Sequence, residues 1–484
     1  MLNDQTREEL WPRLIEVIEN YLTKIDSARV APELDIEKIR GALAGRDFTE
    51  PVGAVEALDF VAGAMWRFQV HTGHPRYFGL FNPASTTMGI AADALVAAFN
   101  PQLAAWSHSP FAAEVERLLV RAFGRKFGYD LSDADGVFTS GGSEANHTAL
   151  LTALARAFPE FGEHGLRALA AQPVFYISSQ GHHSFLKAAR ASGLGAAAVR
   201  EIPVDDDLRM DVGALTDRIE RDRSEGFRPL MIVATVGTTN AGVIDPIGEL
   251  AGIAAREDAW FHVDAAWGGA AAFVPEFRAA LDGIEKADSI TFDAHKWLSA
   301  PMGAGLYLTR NPEILKRTFS VTTSYMPRDA TGLGIVDPFT HSIQWSRRFI
   351  GLKVFMSLLV AGWDGYAEAI RHQVAMGDHL RGKLHDSGWA VVNRTPLPVV
   401  CFVDRALREG ATAEYLEAVC RSVVASGEAW LSIARIGDDN RPVLRANVTS
   451  YRTEASDVDA LVESLNRARI REGGRNAGSH SEAI

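Results

Sequence analysis

Ser289-Ile290-Thr291-Phe292-Asp293-Ala294-His295-Lys296-Trp297-Leu298 is the stretch from which the rest of the chain can be read. Its first four residues alternate hydroxyl and apolar side chains, the period of a strand. An acidic residue ends the alternation, and Lys296 follows between His295 and Trp297. Apolar surroundings disfavour an ammonium, and the same penalty makes the amine a better nucleophile for a carbonyl. A lone strand-end lysine more often just threads its stem past apolar groups to water. The rest of the chain supplies partners that favour the chemical reading.

Upstream, Phe261-His262-Val263-Asp264-Ala265-Ala266-Trp267-Gly268-Gly269 sets a carboxylate at the C-terminal end of another strand, beside small residues. Alone it would be a turn cap. A buried carboxylate, however, needs a cation or donor, and a protonated pyridine nitrogen is one. Further upstream, Thr139-Ser140-Gly141-Gly142-Ser143-Glu144-Ala145-Asn146 joins a strand to a helix. Small residues admit a ligand close to the backbone, and the helix start aims free N–H groups and a positive dipole end at it. The spacing is neither that of the nucleotide P-loop nor that of the dinucleotide fingerprint. A glycine turn with a helix cap is common by itself. A phosphate cradle, then Asp264, then Lys296 (296 − 264 = 32 residues later) together describe a pyridoxal phosphate site. The lysine forms the Schiff base, the aspartate keeps the ring an electron sink, and the helix start holds the phosphate.

The fold expected around these motifs is α/β. Short β-rich runs at Gly136–Thr139, Val174–Ile177, Ala198–Ile202, Leu230–Ala234, Trp260–Val263, Ser289–Phe292 and Gly305–Leu308 alternate with helical patterns, predicting a mostly parallel seven-stranded sheet. Residues 1–78 read as a helical segment, with Leu10, Leu14, Ile15, Val17 and Ile18 at helical spacing. Too small to bury its apolar face alone, it should dimerise. Residues 79–350 form the large cofactor-binding domain. Residues 351–470 form a smaller α+β domain, opening on a long helix to about Lys383 and carrying strands near Val399–Val403 and Val443–Val448. Residues 471–484, polar and rich in Gly and Ser, read as a disordered tail.

Composition narrows the function. With 47% hydrophobic and 23% charged residues the chain is globular, and a net charge of −12 argues against nucleic acid and anionic membranes as partners. Two cysteines, Cys401 and Cys420, suit a reducing cytoplasm, and the first residues lack a signal-peptide layout. No metal-ligand pattern is read.

The chain resembles the pyridoxal-phosphate-dependent group II amino-acid decarboxylases, which act on aromatic amino acids, glutamate, cysteine sulfinate or diaminobutyrate. The likeness rests on His-Pro-Arg-Tyr-Phe at 74–78, Gly-Gly-Ser-Glu-Ala-Asn at 141–146, Gly-His-His-Ser-Phe-Leu-Lys-Ala at 181–188, Ala-Thr-Val-Gly-Thr-Thr at 234–239, His-Val-Asp-Ala-Ala-Trp-Gly-Gly at 262–269, Asp-Ala-His-Lys-Trp-Leu at 293–298 and Gln-Trp-Ser-Arg-Arg-Phe at 344–349. It implies fold type I, the aspartate-aminotransferase-like architecture, in a homodimer with interfacial active sites. It implies that Lys296 is the Schiff-base lysine and Asp264 the partner of the pyridine nitrogen. His182 would stack on the ring and Ala266 would pack on its other face. Gly142 and Ser143 would hold the phosphate, with Thr239, Asp293 and His295 lining the site.

Three features depart from the family. Asp293 stands where an asparagine often contacts the phosphate, and a carboxylate there repels it unless a donor intervenes. Near the substrate loop, where the decarboxylases carry a proton-donating tyrosine, this chain has Pro338 and Phe339; Tyr325 and His341 are the nearby candidate acids. Pocket positions that are bulky in aromatic-specific enzymes are Asn82, Ala84, Gln102 and Ala104, with Phe339 beside them, which tilts the substrate away from large rings. The resemblance implies loss of carbon dioxide through a quinonoid. Protonation then gives an amine, whereas reaction with oxygen gives an aldehyde; an aminotransferase is the alternative on the same cofactor.

Overall fold

The computed structural model describes residues 2–130, 134–321, 335–407 and 412–479. Seven strands form the larger sheet: β1 (Asp135–Thr139), β2 (Pro173–Ser178), β3 (Val199–Ile202), β4 (Arg228–Thr235), β5 (Trp260–Asp264), β6 (Ser289–Asp293) and β7 (Gly305–Thr309). Their order is β1-β7-β6-β5-β4-β2-β3. Neighbours from β6 to β3 pair in parallel, and β7 runs against both β6 and β1. This is the mostly parallel sheet that the alternation predicts.

Near-continuous apolar runs fit strands buried on both faces. Alternation sends Val137, Phe175, Ile177, Met231 and Val233 to one apolar cluster and Phe138, Tyr176, Ile232 and Ala234 to the other. The helices Gly142–Ala157, Ser184–Ala191 and Ile314–Phe319 complete the first cluster. Pro110–Phe127 and Ile247–Arg256 contribute to the second.

Register places the motifs. Thr235 pairs with Asp264 and Asp264 with Thr291, while Asp293 pairs with Gly305 and Gly305 with Thr139. The carboxyl ends of β1, β4, β5 and β6 therefore converge on one edge, where ligands of such sheets bind.

The C-terminal part carries an antiparallel four-stranded sheet of β8 (Trp389–Val391), β9 (Val399–Asp404), β10 (Ser432–Ile436) and β11 (Arg441–Asn447), ordered β10-β11-β9-β8. The sequence reading finds β9 and β11. It passes over β8, three residues long, and β10, in which Arg435 interrupts the apolar run. The long helix Gly351–Asp386 is two helices across Gly362, whose φ of 63° and ψ of 179° only glycine adopts readily. The last helix runs from Ala455 to Ser479, past the expected start of a disordered tail at 471.

The N-terminal helix Asp4–Lys24 buries none of its residues. It meets the helix Ala54–Phe68 through Arg13 and Asp59 at 2.8 Å. The end of that helix and the segment after it are fastened to the C-terminal part of the chain. Arg452 reaches Asp26 at 2.8 Å and the Leu22 carbonyl at 3.2 Å, and Val30 N–H donates to the Gly427 carbonyl at 2.8 Å. Trp11, Ile15, Val61 and Met65 stay exposed.

Candidate active site

The cradle is built by close approach. A Cβ on Gly305 would lie 2.5 Å from Thr139 Oγ1 and 2.6 Å from Gly141 Cα, so glycine lets the Ser140–Gly141 turn sit down on β7. A Cβ on Gly142 would lie 2.9 Å from Asp293 Oδ2 and 3.4 Å from Ala266 Cβ. The helix from Gly142 therefore begins against the ends of β5 and β6. Gly142 and Ser143 N–H belong to its first turn and have no intrahelical acceptor, which leaves them for an anion. Glu144 Oε2 closes the turn by accepting from Ser140 N–H at 2.8 Å and its hydroxyl at 2.7 Å.

Asp264 is buried at the end of β5. Its Oδ1 accepts Ala266 N–H at 3.1 Å, and its Oδ2 accepts Asn146 Nδ2–H at 2.9 Å. Ala266 lies in the turn beyond the strand, and its carbonyl accepts Asp293 N–H at 2.8 Å. One residue on, Trp267 stacks on Phe81 with ring centres 4.4 Å apart, which brings the 79–84 loop onto this turn.

Lys296 lies just beyond β6. The sequence suggests apolar surroundings; the structure gives it a carboxylate, with Nζ 3.0 Å from Asp293 Oδ2. Asp293 is buried, and its Oδ1 has no hydrogen-bond partner. The donor needed beside that carboxylate is thus the lysine itself. His295 Nδ1 accepts Ala304 N–H at 3.2 Å, and its Nε2 lies 3.8 Å from Asp293 Oδ2. Burial holds the His295 pKa below its ordinary value, partly offset by Asp293.

His182 lies just beyond β2, and its Nδ1 accepts Ser184 N–H at 3.2 Å. Its ring reaches the surface, yet neighbouring protein withholds enough water to lower its pKa, while the charge of Asp264 opposes the shift. His182 thus feels the charges of Asp264, Lys296 and Asp293, in the same edge of the sheet. Thr239 lies in the half-buried loop after β4. That loop is pressed on Trp267, whose indole N–H donates to the Gly237 carbonyl at 2.6 Å.

The outer pocket residues fall into two groups. Asn82 accepts the Tyr77 hydroxyl at 3.3 Å, and Ala84 is buried on the same loop. Ala104 and Phe339 come together through Phe339 N–H and the Ala104 carbonyl at 3.1 Å, while Gln102 meets Ser346 at 3.3 Å. Phe339 is buried against Trp345, ring centres 5.0 Å apart. His341 Nε2 lies 3.2 Å from Asp135 Oδ2, at the start of β1. The cradle is at the other end of that strand, so the structure does not bring His341 to Lys296 within the chain. Tyr325 lies outside the described residues.

Four residues without an assigned role emerge. Asn146 holds Asp264, and Gln344 Nε2 reaches Glu144 Oε1 at 2.6 Å, tying the Phe339 segment to the cradle. Arg445 is buried with its guanidinium 4.9 Å from the Phe81 ring centre and donates to the Gly79 carbonyl at 3.0 Å. Asn146, Glu144 and Gln344 stand inside the quoted motifs, but their partners are remote in sequence. No sequence signal marks Arg445.

The donors and the glycine approach fit pyridoxal 5'-phosphate. Lys296 would hold its aldehyde carbon, Asp264 its ring nitrogen, and the Gly142–Ser143 amides its phosphate. The buried, unpartnered Asp293 Oδ1 leaves one acceptor in the site unused.

Residues 58–405 match the model of the pyridoxal-dependent decarboxylase conserved domain. An aromatic-L-amino-acid decarboxylase of Bacillus atrophaeus is 31% identical over 405 residues, 83% of this chain and 82% of the relative. L-2,4-diaminobutyrate decarboxylase of Rhizobium meliloti is 36% identical over 60% of this chain and 57% of its own length. The solved structure of Oryza sativa TDC with PLP and tryptamine superposes with a TM-score of 0.90 at 27% identity, covering 97% of this chain and 99% of that one.

Proposed function

The chain belongs to the pyridoxal-dependent decarboxylase family, and from that premise we propose that it decarboxylates an L-amino acid lacking a large aromatic ring, releasing carbon dioxide and an amine. Its cofactor is pyridoxal 5'-phosphate, and it is an amino-acid decarboxylase. When bound, the cofactor supplies an aldehyde with which amines condense and a conjugated ring that accepts the electrons of the broken bond. The observation that carries the reading is the convergence of Lys296, Asp264 and the glycine cradle on one edge of the sheet, with Asp293 Oδ2 3.0 Å from Nζ.

Lys296 Nζ is the amine that would hold the aldehyde carbon of the cofactor. Asp293 Oδ2, 3.0 Å from Nζ, orients that amine. Asp264 holds a proton on the ring nitrogen, because a carboxylate in contact favours the cation. His182 would cover one face of the ring and Ala266 the other. Asn82, Ala84, Gln102 and Ala104 shape the side-chain pocket without aromatic stacking groups of their own. The active unit is a homodimer with sites at the interface, a reading supported by the exposed apolar faces of the N-terminal helices. With His341 docked against Asp135, Tyr325 is the candidate acid that would deliver the proton to the former α-carbon. Two unpaired cysteines support a cytoplasmic setting.

Borohydride treatment of the holoenzyme followed by peptide mapping should place the label on Lys296; a label on another lysine removes the assignment. A panel of amino acids, with carbon dioxide, amine and peroxide followed together, identifies substrate and outcome. Phe339 supports a second reading, oxidative release of an aldehyde, since its ring carries no transferable proton. In that case the wild type consumes oxygen, and Phe339→Tyr shifts product toward amine.

A further inference from the structure

Behind Asp264 runs a chain of buried side chains that the chemistry above leaves unused. Asn146 Nδ2 donates to Asp264 Oδ2 and to Ser184 Oγ, each at 2.9 Å. Asn146 Oδ1 accepts the Thr291 hydroxyl at 2.6 Å and lies 3.2 Å from His262 Nε2. His262 Nδ1 is 2.8 Å from Ser289 Oγ, which also accepts the Trp260 indole N–H at 2.8 Å. Each of Asn146, His262, Thr291, Ser289 and Trp260 is at most 1% exposed.

We propose that Asn146 and His262 are positioning residues: together they hold Asp264 in the orientation that pairs with the ring nitrogen of pyridoxal 5'-phosphate. The inference rests on the cofactor identified above and on no particular substrate.

The direction of the chain is set by one charge. Turned over, the Asn146 amide would set its oxygen 2.9 Å from the Asp264 carboxylate, two acceptors with no proton between them. Nδ2 therefore faces Asp264 and Oδ1 faces His262, so His262 carries its proton on Nε2. Nδ1 is then an acceptor. Ser289 O–H donates to it and accepts from Trp260, a residue that can only donate. This arrangement of protons satisfies every link from Trp260 to Asp264, and along that line each donor points toward Asp264. Burial lowers the His262 pKa to about 4, which keeps the ring neutral and the direction unchanged near neutral pH. Ala266 N–H meets the other oxygen of Asp264 at 3.1 Å. Donors thus face both oxygens, the surroundings of a carboxylate, and its remaining lone pairs are left for one more donor. A network that only satisfied buried polar atoms would need no such common direction.

The test compares two cofactors on the full chain. Apoenzyme is titrated with pyridoxal 5'-phosphate and with its 1-deaza analogue, in which C–H replaces the ring nitrogen. Asn146→Leu and His262→Phe should weaken the natural cofactor about ten-fold more than the analogue, the size of one pKa unit at the nitrogen. His262→Gln, which keeps a donor toward Asn146, should restore most of that difference. Equal weakening of both cofactors, or none of either, overturns the proposal. Neutron diffraction of the wild-type holoenzyme serves if the variants do not fold. A deuteron on His262 Nε2 with none on Nδ1 is expected, and a deuteron on Nδ1 overturns it. Neither readout requires turnover, so failure here is distinct from failure to decarboxylate.

Discussion

Asp264 and Asp293 end neighbouring strands, are both buried, and have opposite surroundings. Asp264 is met at both oxygens by donors fixed in the framework, the Asn146 amide and Ala266 N–H. Asp293 has one oxygen without a partner and the other beside a lysine on a flexible stem. A buried acceptor left unpaired costs about 1–3 kcal/mol, so Asp293 is the less fully satisfied of the two carboxylates. In the proposed reaction Asp264 keeps these partners throughout. In the same proposal Asp293 works through its contact with Lys296. Two carboxylates of similar depth are thus fitted for different work by what the adjoining strands and helix aim at them.

The comparison breaks most visibly at Asp264. Asp264→Asn should retain part of the cofactor and lose about 10²–10³-fold in kcat/KM, the usual scale for one preorganised charge contact. Carbon dioxide release at saturating cofactor measures it, and an undiminished rate would remove Asp264 from the chemistry.

Acid tests the fixed side next. His262 has a folded pKa of about 4 against an ordinary 6.5. As pH falls below about 6.5 the unfolded chain binds the proton first, so stability is lost down to about pH 4 and is unaffected above 6.5. The loss is about 3 kcal/mol for this residue. Denaturant titrations of the wild type and His262→Gln at pH 7 and 4.5 should show a smaller acid loss in the variant. His74, also held to about 4 by burial, should keep its own part of the slope in both.

Asp293→Asn sharpens the mobile side and has the smallest effect. Removing a negative charge beside the cradle should favour pyridoxal 5'-phosphate over unphosphorylated pyridoxal by about ten-fold, roughly 1.4 kcal/mol. Binding titrations of the two aldehydes measure the ratio. An equal change in both would mean that the carboxylate acts on Lys296 alone.

Much of this is legible in the residues themselves. Strands buried on both faces announce themselves as apolar runs, so all seven strands of the large sheet are found within a few residues. Shorter elements carry too little pattern, which is why β8 and β10 escape, and the break at Gly362 leaves the apolar periodicity of its helix intact. Among site residues, Lys296, Asp264 and the glycine turn are marked by their place where a strand gives way to a turn or a helix. Ala104 and Phe339 both read as pocket residues, but only the backbone hydrogen bond between them shows that they belong together. His341 shows the reverse: proximity in sequence to the substrate loop does not prevent it from docking against Asp135.

By itself the sequence determined the chemistry available to this chain: a lysine, an acid and a glycine cradle, each at or just after the end of a strand, in an order that suits one cofactor. It could do so because strand period and turn composition are local properties. Tertiary structure alone decided the state in which those groups are held. The pairing of Asp293 with Lys296 depends on how the chain turns beyond β6. The chain from Trp260 to Asp264 depends on the parallel register of β5 with β6 and on the helix that carries Asn146 across them. Hydrogen bonds act over about 3 Å, and no local pattern says which side chains, 118 residues apart in the case of Asn146 and Asp264, will come within that reach.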